Sequence, residues 1–172
     1  EGCDRHAEPG RVALVWEGRD GRREDWTFTR LKEASARFAH YLREQGIGPG
    51  DCVSGLLPRT PELLVTILGT WRIGAVYQPL FTAFGPKAIE HRLGYSGARL
   101  VVTNPANRGK LDEIEDSPPI ATILGPNDAL PQGDIDFRAA LAAASPDCEP
   151  VMRKGDDLFM MMSTSGTTGL PK

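Results

Sequence analysis

The sequence predicts an α/β fold: a largely parallel β-sheet flanked by helices and preceded by a β-hairpin. Three observations carry that expectation. From Asp51 onward, short apolar runs alternate with helix-length amphipathic segments, the pattern of βαβ units. The runs "LVVT" (100–103) and "LFMMM" (158–162) are almost continuously apolar, as strands buried on both faces are. Upstream, two stretches of alternating character flank a turn rich in glycine and aspartate, which reads as a hairpin.

The elements follow in order. In "RVALVWEGRDGRREDWTFTRL" (11–31), Val12, Leu14 and Trp16 alternate on one strand and Trp26 and Phe28 on the other. Gly18, Asp20 and Gly21 supply the turn. Thr29 is placed to cap a helix from about Arg30 to Gln45, whose residues Leu31, Ala34, Phe38, Ala39, Tyr41 and Leu42 share a face. Gly46, Gly48 and Pro49 end it. "DCVSGLLP" (51–58) reads as a buried strand, and "TPELLVTILGTWRIG" (60–74) as a helix with Thr60 at the N-cap and Pro61 in the first helical position. "AVYQPLF" is the next strand, "GPKAIEHRLGYSG" the next helix, "ARLVVT" the third strand and "PANRGKLDEIEDS" a further helix. "IATILG" is a fourth strand, "IDFRAALAAAS" a short helix and "DDLFMMMST" a fifth strand. "GPNDALPQGDIDF" (125–137), with its Gly, Pro, Asn and Asp, reads as a surface loop.

Composition excludes several classes. The net charge is −3 and no basic run is present, so a nucleic-acid partner is not expected. No stretch of about 18 apolar residues exists to span a membrane. Cys3, Cys52 and Cys148 are odd in number and widely spaced, which fits incidental thiols in a reducing cytoplasmic setting. His6, His40 and His91 lack metal-ligand spacing and read as surface or structural residues. The first residue is Glu1 rather than Met, so an upstream part is expected to have been removed.

The chain closes on "MMMSTSGTTGLPK" (160–172). A strand followed by glycines and hydroxyls has a recurrent use. Glycine lets successive N–H groups converge on one point, and the hydroxyls and a lysine add donors and positive charge. Chemically this is a phosphate cradle. Spacing rules out two common nucleotide loops. A Walker loop begun at Gly166 would need glycine where Pro171 stands, and a dinucleotide fingerprint would need glycine at Thr168.

"TSGTTGLPK" (164–172) resembles the phosphate loop of the adenylate-forming (AMP-binding) enzymes over nine consecutive positions. Residues 61–103 resemble the acyl-CoA synthetase branch: a helix ends in "RIGAV", and "PLFTAFGPKAI" (79–89) is closer to acetyl-CoA synthetases than to peptide-synthetase or aryl-CoA-ligase members. The resemblance implies an N-terminal portion of an AMP-binding domain over 1–172, truncated in its phosphate loop. It implies that Thr164, Ser165, Gly166, Thr167, Thr168, Gly169 and Lys172 hold ATP phosphates. It places Phe81, Thr82, Ala83 and Phe84 at the loop near the CoA nucleotide, although the two middle glycines of the related "FGGF" pattern are absent. It also places Arg108 where an arginine could pair with a CoA phosphate.

The implied reaction is ATP- and Mg2+-dependent activation of a short- or medium-chain carboxylate as acyl-AMP, followed by transfer to CoA. The implied partners are that carboxylate, ATP and CoA. The adenine contacts, acyl pocket and C-terminal lysine of the resembling enzymes lie beyond the phosphate loop, so residues 1–172 alone are expected to be inactive. The alternatives are an adenylation domain of another carboxylate-activating enzyme, or a non-catalytic interaction module derived from the fold. An unpaired last strand is expected to invite self-association.

Overall fold

A computed structural model of the chain describes residues 3–163. The alternating residues near the start pair as an antiparallel hairpin of β1 (Val12–Glu17) and β2 (Arg23–Thr27). The helix that follows, α1 (Phe28–Glu44), begins earlier than its sequence suggests. Its cap is Thr27, whose hydroxyl accepts a hydrogen bond from the Arg30 amide at 3.1 Å, so Thr29 lies inside the first turn and Phe28 is helical rather than extended. Thr27 prevails because it sits where the backbone is still extended and the first-turn amides still need an acceptor.

Five parallel strands then form one sheet in the order β4-β3-β5-β6-β7. They are β3 (Cys52–Leu56), β4 (Val76–Pro79), β5 (Leu100–Thr103), β6 (Ile120–Thr122) and β7 (Ile135–Asp136). The helices between them are α2 (Pro61–Arg72), α3 (Pro86–Ser96) and α4 (Pro105–Arg108), with α5 (Phe137–Ala143) after β7. Pro at the start of α2, α3 and α4 fits the position where no amide partner is needed. Gly97 ends α3 with φ 59°, and its amide bonds the Leu93 carbonyl, a left-handed cap that side chains other than glycine adopt at a cost.

The period-two pleat splits the core between the two faces of the sheet. Val53, Leu100, Val102 and Ala121 join Phe38, Leu42 and Val65 of α1 and α2 and Phe137 of α5. Leu56, Val101 and Ile120 join Ile89 and Leu93 of α3 on the other face. A buried polar cluster tethers α3 to the sheet: Ser54 and Ser96 donate to Oε1 of the Gln78 side chain, and its Nε2 donates to the Arg92 backbone carbonyl. Each group has a partner, as burial demands.

The structure corrects three further expectations. The helix read over 105–117 shrinks to the four residues of α4, followed by a 3₁₀ turn at Gly109–Leu111. Gly109 is a poor helix former, and Asp112, Glu113, Glu115 and Asp116 would crowd the negative end of the helix dipole. The fifth strand is not 156–164. Among the described residues that stretch contributes a single parallel bridge, Met160 beside Tyr77, and Leu158, Phe159 and Met162 are exposed. The fifth strand is instead β7, at the end of the segment read as a loop and as the start of a helix. Asp136 there both pairs with Thr122 and caps α5, accepting from the amides of Arg138 and Ala139.

Candidate functional site

The crossovers leave the carboxyl ends of β3 and β4 on opposite faces: β3 runs into α2, packed on one side, and β4 runs toward α3 on the other. Connections that part in this way open a crevice at the strand ends, where ligands bind in open parallel sheets. Such a cleft of about 850 Å3 is present. Its floor is Gly55, Leu57, Leu63 and Tyr77; one wall is 16–19 of the hairpin with Arg59, and the other is 79–83. A cavity of about 390 Å3 by Arg99, Leu100 and Ile135 lies at the opposite, amino ends of the strands.

Each wall is held by a polar tether. The Trp16 indole donates to the Arg59 carbonyl at 2.8 Å, fixing the hairpin beside the start of α2. The Lys110 ammonium donates to the Thr82 carbonyl and, at 3.3 Å, to the Asn107 side chain. Phe81 stands exposed at this rim with its ring 5.2 Å from that of Phe84, edge to face. The Arg92 guanidinium lies 4.0 Å over Phe84, a cation–π contact that supports the loop from behind.

On the floor, Tyr77 is only 1% exposed, and among the described residues its hydroxyl has no hydrogen-bond partner. Burial pushes the phenol well above its ordinary range, so it stays protonated. The ring crosses to β3 directly over Gly55, and any side chain on Gly55 would collide with the hydroxyl and ring. An unpaired buried hydroxyl is costly. Tyr77→Phe is therefore expected to leave stability unchanged or raise it by about 1 kcal/mol, measured by urea denaturation; a loss of about 1 kcal/mol or more would show that the hydroxyl has a partner.

The residues singled out from sequence fall as follows. Phe81 lines the cleft with Thr82 and Ala83. Thr164, Ser165, Gly166, Thr167, Thr168, Gly169 and Lys172 lie outside the described residues. The chain reaches them from a segment running parallel to β4, with the Tyr77 amide donating to Phe159 and the Met161 amide to Tyr77, both at 3.0 Å. Arg108 is already engaged. Its guanidinium makes a forked pair with Asp134 at 2.7–3.0 Å and bonds Asp112, and only 14% of its side chain is exposed. The Asp134 bonds hold its charge more firmly than usual. Composition had no means to reveal Asp134: it looks like any loop acid, yet its side chain is 2% exposed and also accepts from Thr122. Among the described residues no group of three or more His, Cys, Asp or Glu could hold a metal ion.

Fold and cleft together define an α/β unit of the open parallel-sheet class with a crevice at the strand ends. The AMP-binding enzyme family matches residues 3–172, and the chain belongs to that family. It is 65% identical to an acyl-CoA synthetase of Brucella canis, whose crystal structure it matches with a TM-score of 0.93 over 99% of this chain and 31% of that one. Acetyl-coenzyme A synthetases are similar too: that of Syntrophobacter fumaroxidans is 32% identical over 94% of this chain and 27% of its own length. That of Vibrio vulnificus is 36% identical over 98% and 29%. The chain thus spans less than a third of these relatives. The resemblance read from 61–103 and 164–172 is borne out at the level of the family and of the acyl-CoA synthetase branch.

Proposed function

We propose that the protein carrying this chain is an ATP-dependent, AMP-forming carboxylate–CoA ligase acting on a short- or medium-chain acid. The observation that supports this most strongly is "TSGTTGLPK" at 164–172, reached from a segment that runs beside β4 in the direction of the cleft. In the proposed reaction a carboxylate oxygen attacks the α-phosphorus of ATP, and the bond to pyrophosphate breaks. The thiolate of CoA then attacks the acyl carbon and AMP leaves. Such chemistry asks the protein mainly for positioning and charge neutralisation.

In this reading Thr164, Ser165, Gly166, Thr167, Thr168, Gly169 and Lys172 neutralise the departing pyrophosphate, and Phe81 borders the path of CoA. Mg2+ would screen the phosphate oxygens. Residues 1–172 alone are taken to be inactive, and the cytoplasm is the proposed location. Buried free thiols at Cys3, Cys52 and Cys148, each kept protonated by desolvation, suit a reducing compartment.

The test is carboxylate-dependent exchange of labelled pyrophosphate into ATP by the full-length protein, over a series from acetate to decanoate. Exchange with one or more of these acids, and an acyl-CoA product when CoA is added, is expected. No exchange across the series would overturn the reading, and exchange with amino or aryl acids alone would move the chain to another adenylating class.

A further inference from the structure

We infer that Trp71, in the last turn of α2, is a positioning residue for the adenylation step: its indole fixes the segment that leads into 164–172. This rests on the reading that 164–172 hold the ATP phosphates. Residues 158–162 approach that stretch with little burial to hold them, because Leu158, Phe159 and Met162 are all exposed. Two backbone bonds tie the segment to β4. The Tyr77 amide donates to the Phe159 carbonyl and the Met161 amide to the Tyr77 carbonyl, each at 3.0 Å. The Trp71 indole adds a third bond, donating to the same Phe159 carbonyl at 2.7 Å. That carbonyl thus uses both of its lone pairs, one toward the strand and one toward α2. Two donors from different elements set its direction as well as its place, whereas a single ladder bond leaves it free to pivot.

The surroundings make this anchor matter. The Phe159 ring meets the Trp71 ring edge to face, with centroids 5.4 Å apart. A cavity of about 410 Å3, lined by Leu68, Val151 and Met152 together with both rings, lies against the pair. Close packing therefore does not back the segment on that side, and directed contacts hold it instead. The same helix end holds the chain further upstream. The Val151 amide donates to the Arg72 carbonyl at 2.8 Å, and the Arg72 guanidinium donates to the Cys148 carbonyl at 3.1 Å. Since β4 follows α2 directly, one corner of the fold sets both the strand and the segment beside it. Displacement of pyrophosphate from the α-phosphorus depends on placement more than on any reacting side chain. An error in the backbone at Phe159 is carried along the chain into the residues that would grip the leaving group.

The experiment compares two half-reactions in the full-length protein carrying Trp71→Phe or Trp71→Ala. Phenylalanine removes the N–H donor and keeps an aromatic ring against Phe159; alanine removes both. The first half-reaction is carboxylate-dependent pyrophosphate exchange. The second is thioester formation from a synthetic acyl-adenylate and CoA, in which no pyrophosphate takes part. For Trp71→Phe the maximal exchange rate is expected to fall roughly ten-fold, with a smaller change in KM for ATP and for the carboxylate. Thioester formation from the adenylate should stay within about two-fold of wild type. Trp71→Ala should lose more exchange and still spare the second half-reaction. Unchanged exchange in Trp71→Phe, or an equal loss in both half-reactions, would overturn the inference. A wild-type protein that forms the thioester from the synthetic adenylate but shows no exchange with any acid would instead overturn the reading on which it rests.

Discussion

Asp134→Ala lowers stability by about 3 kcal/mol, read as a fall in the urea midpoint at unchanged slope. The carboxylate is 2% exposed and takes three bonds from Arg108 and one from Thr122. Its loss leaves a guanidinium that is 14% exposed with only Asp112 to answer it, and it leaves the Thr122 hydroxyl without the acceptor it uses. Removing one partner of a buried pair is far more damaging than replacing the pair, because the remaining charge must be desolvated alone. The double change Arg108→Met with Asp134→Leu should therefore recover much of the loss. A cost below about 1 kcal/mol for Asp134→Ala would mean that water reaches the pair and screens it.

Gly69→Val is the second large effect, a loss of about 3 kcal/mol by the same measurement. Gly69 lies on α2 where it packs against α1. A Cβ there would sit 2.7 Å from Cδ1 of Phe38 and 2.9 Å from the Ser35 carbonyl oxygen. The ring could turn, but the carbonyl belongs to helix backbone and cannot yield without moving α1. Phe38 is fully buried and packs at 5.2 Å on Phe137, so its displacement spreads into the core shared by α1, α2 and α5. Valine would otherwise suit a helix better than glycine, so a neutral result would show that the two helices can separate at little cost.

What could be read from the sequence, and what could not, follows from the range of the interactions involved. The helices α2 and α3 announce themselves by local chemistry: Pro61 and Pro86 at their starts and Gly97 past the end of α3. The strands β3 and β5 show as apolar runs because both faces are covered. By contrast, β7 is two residues long and has no periodicity to display. The run at 158–162 looked like a buried strand, but apolarity does not say what covers it, and Phe159 is 60% exposed with its carbonyl held by the Trp71 indole. In the cleft, Phe81 was legible from its motif. Tyr77 was not, because its significance depends on which neighbours it lacks. The motif around Arg108 suggested a ligand contact but gave no sign of Asp134, the loop acid 26 positions later that pairs with it.

The two walls of the cleft are secured separately, one by Trp16 on the Arg59 carbonyl and one by Lys110 on the Thr82 carbonyl. Neither tether passes through the hydrophobic layers that hold the sheet to its helices. The width of the opening is therefore adjustable at single side chains without reworking the interior.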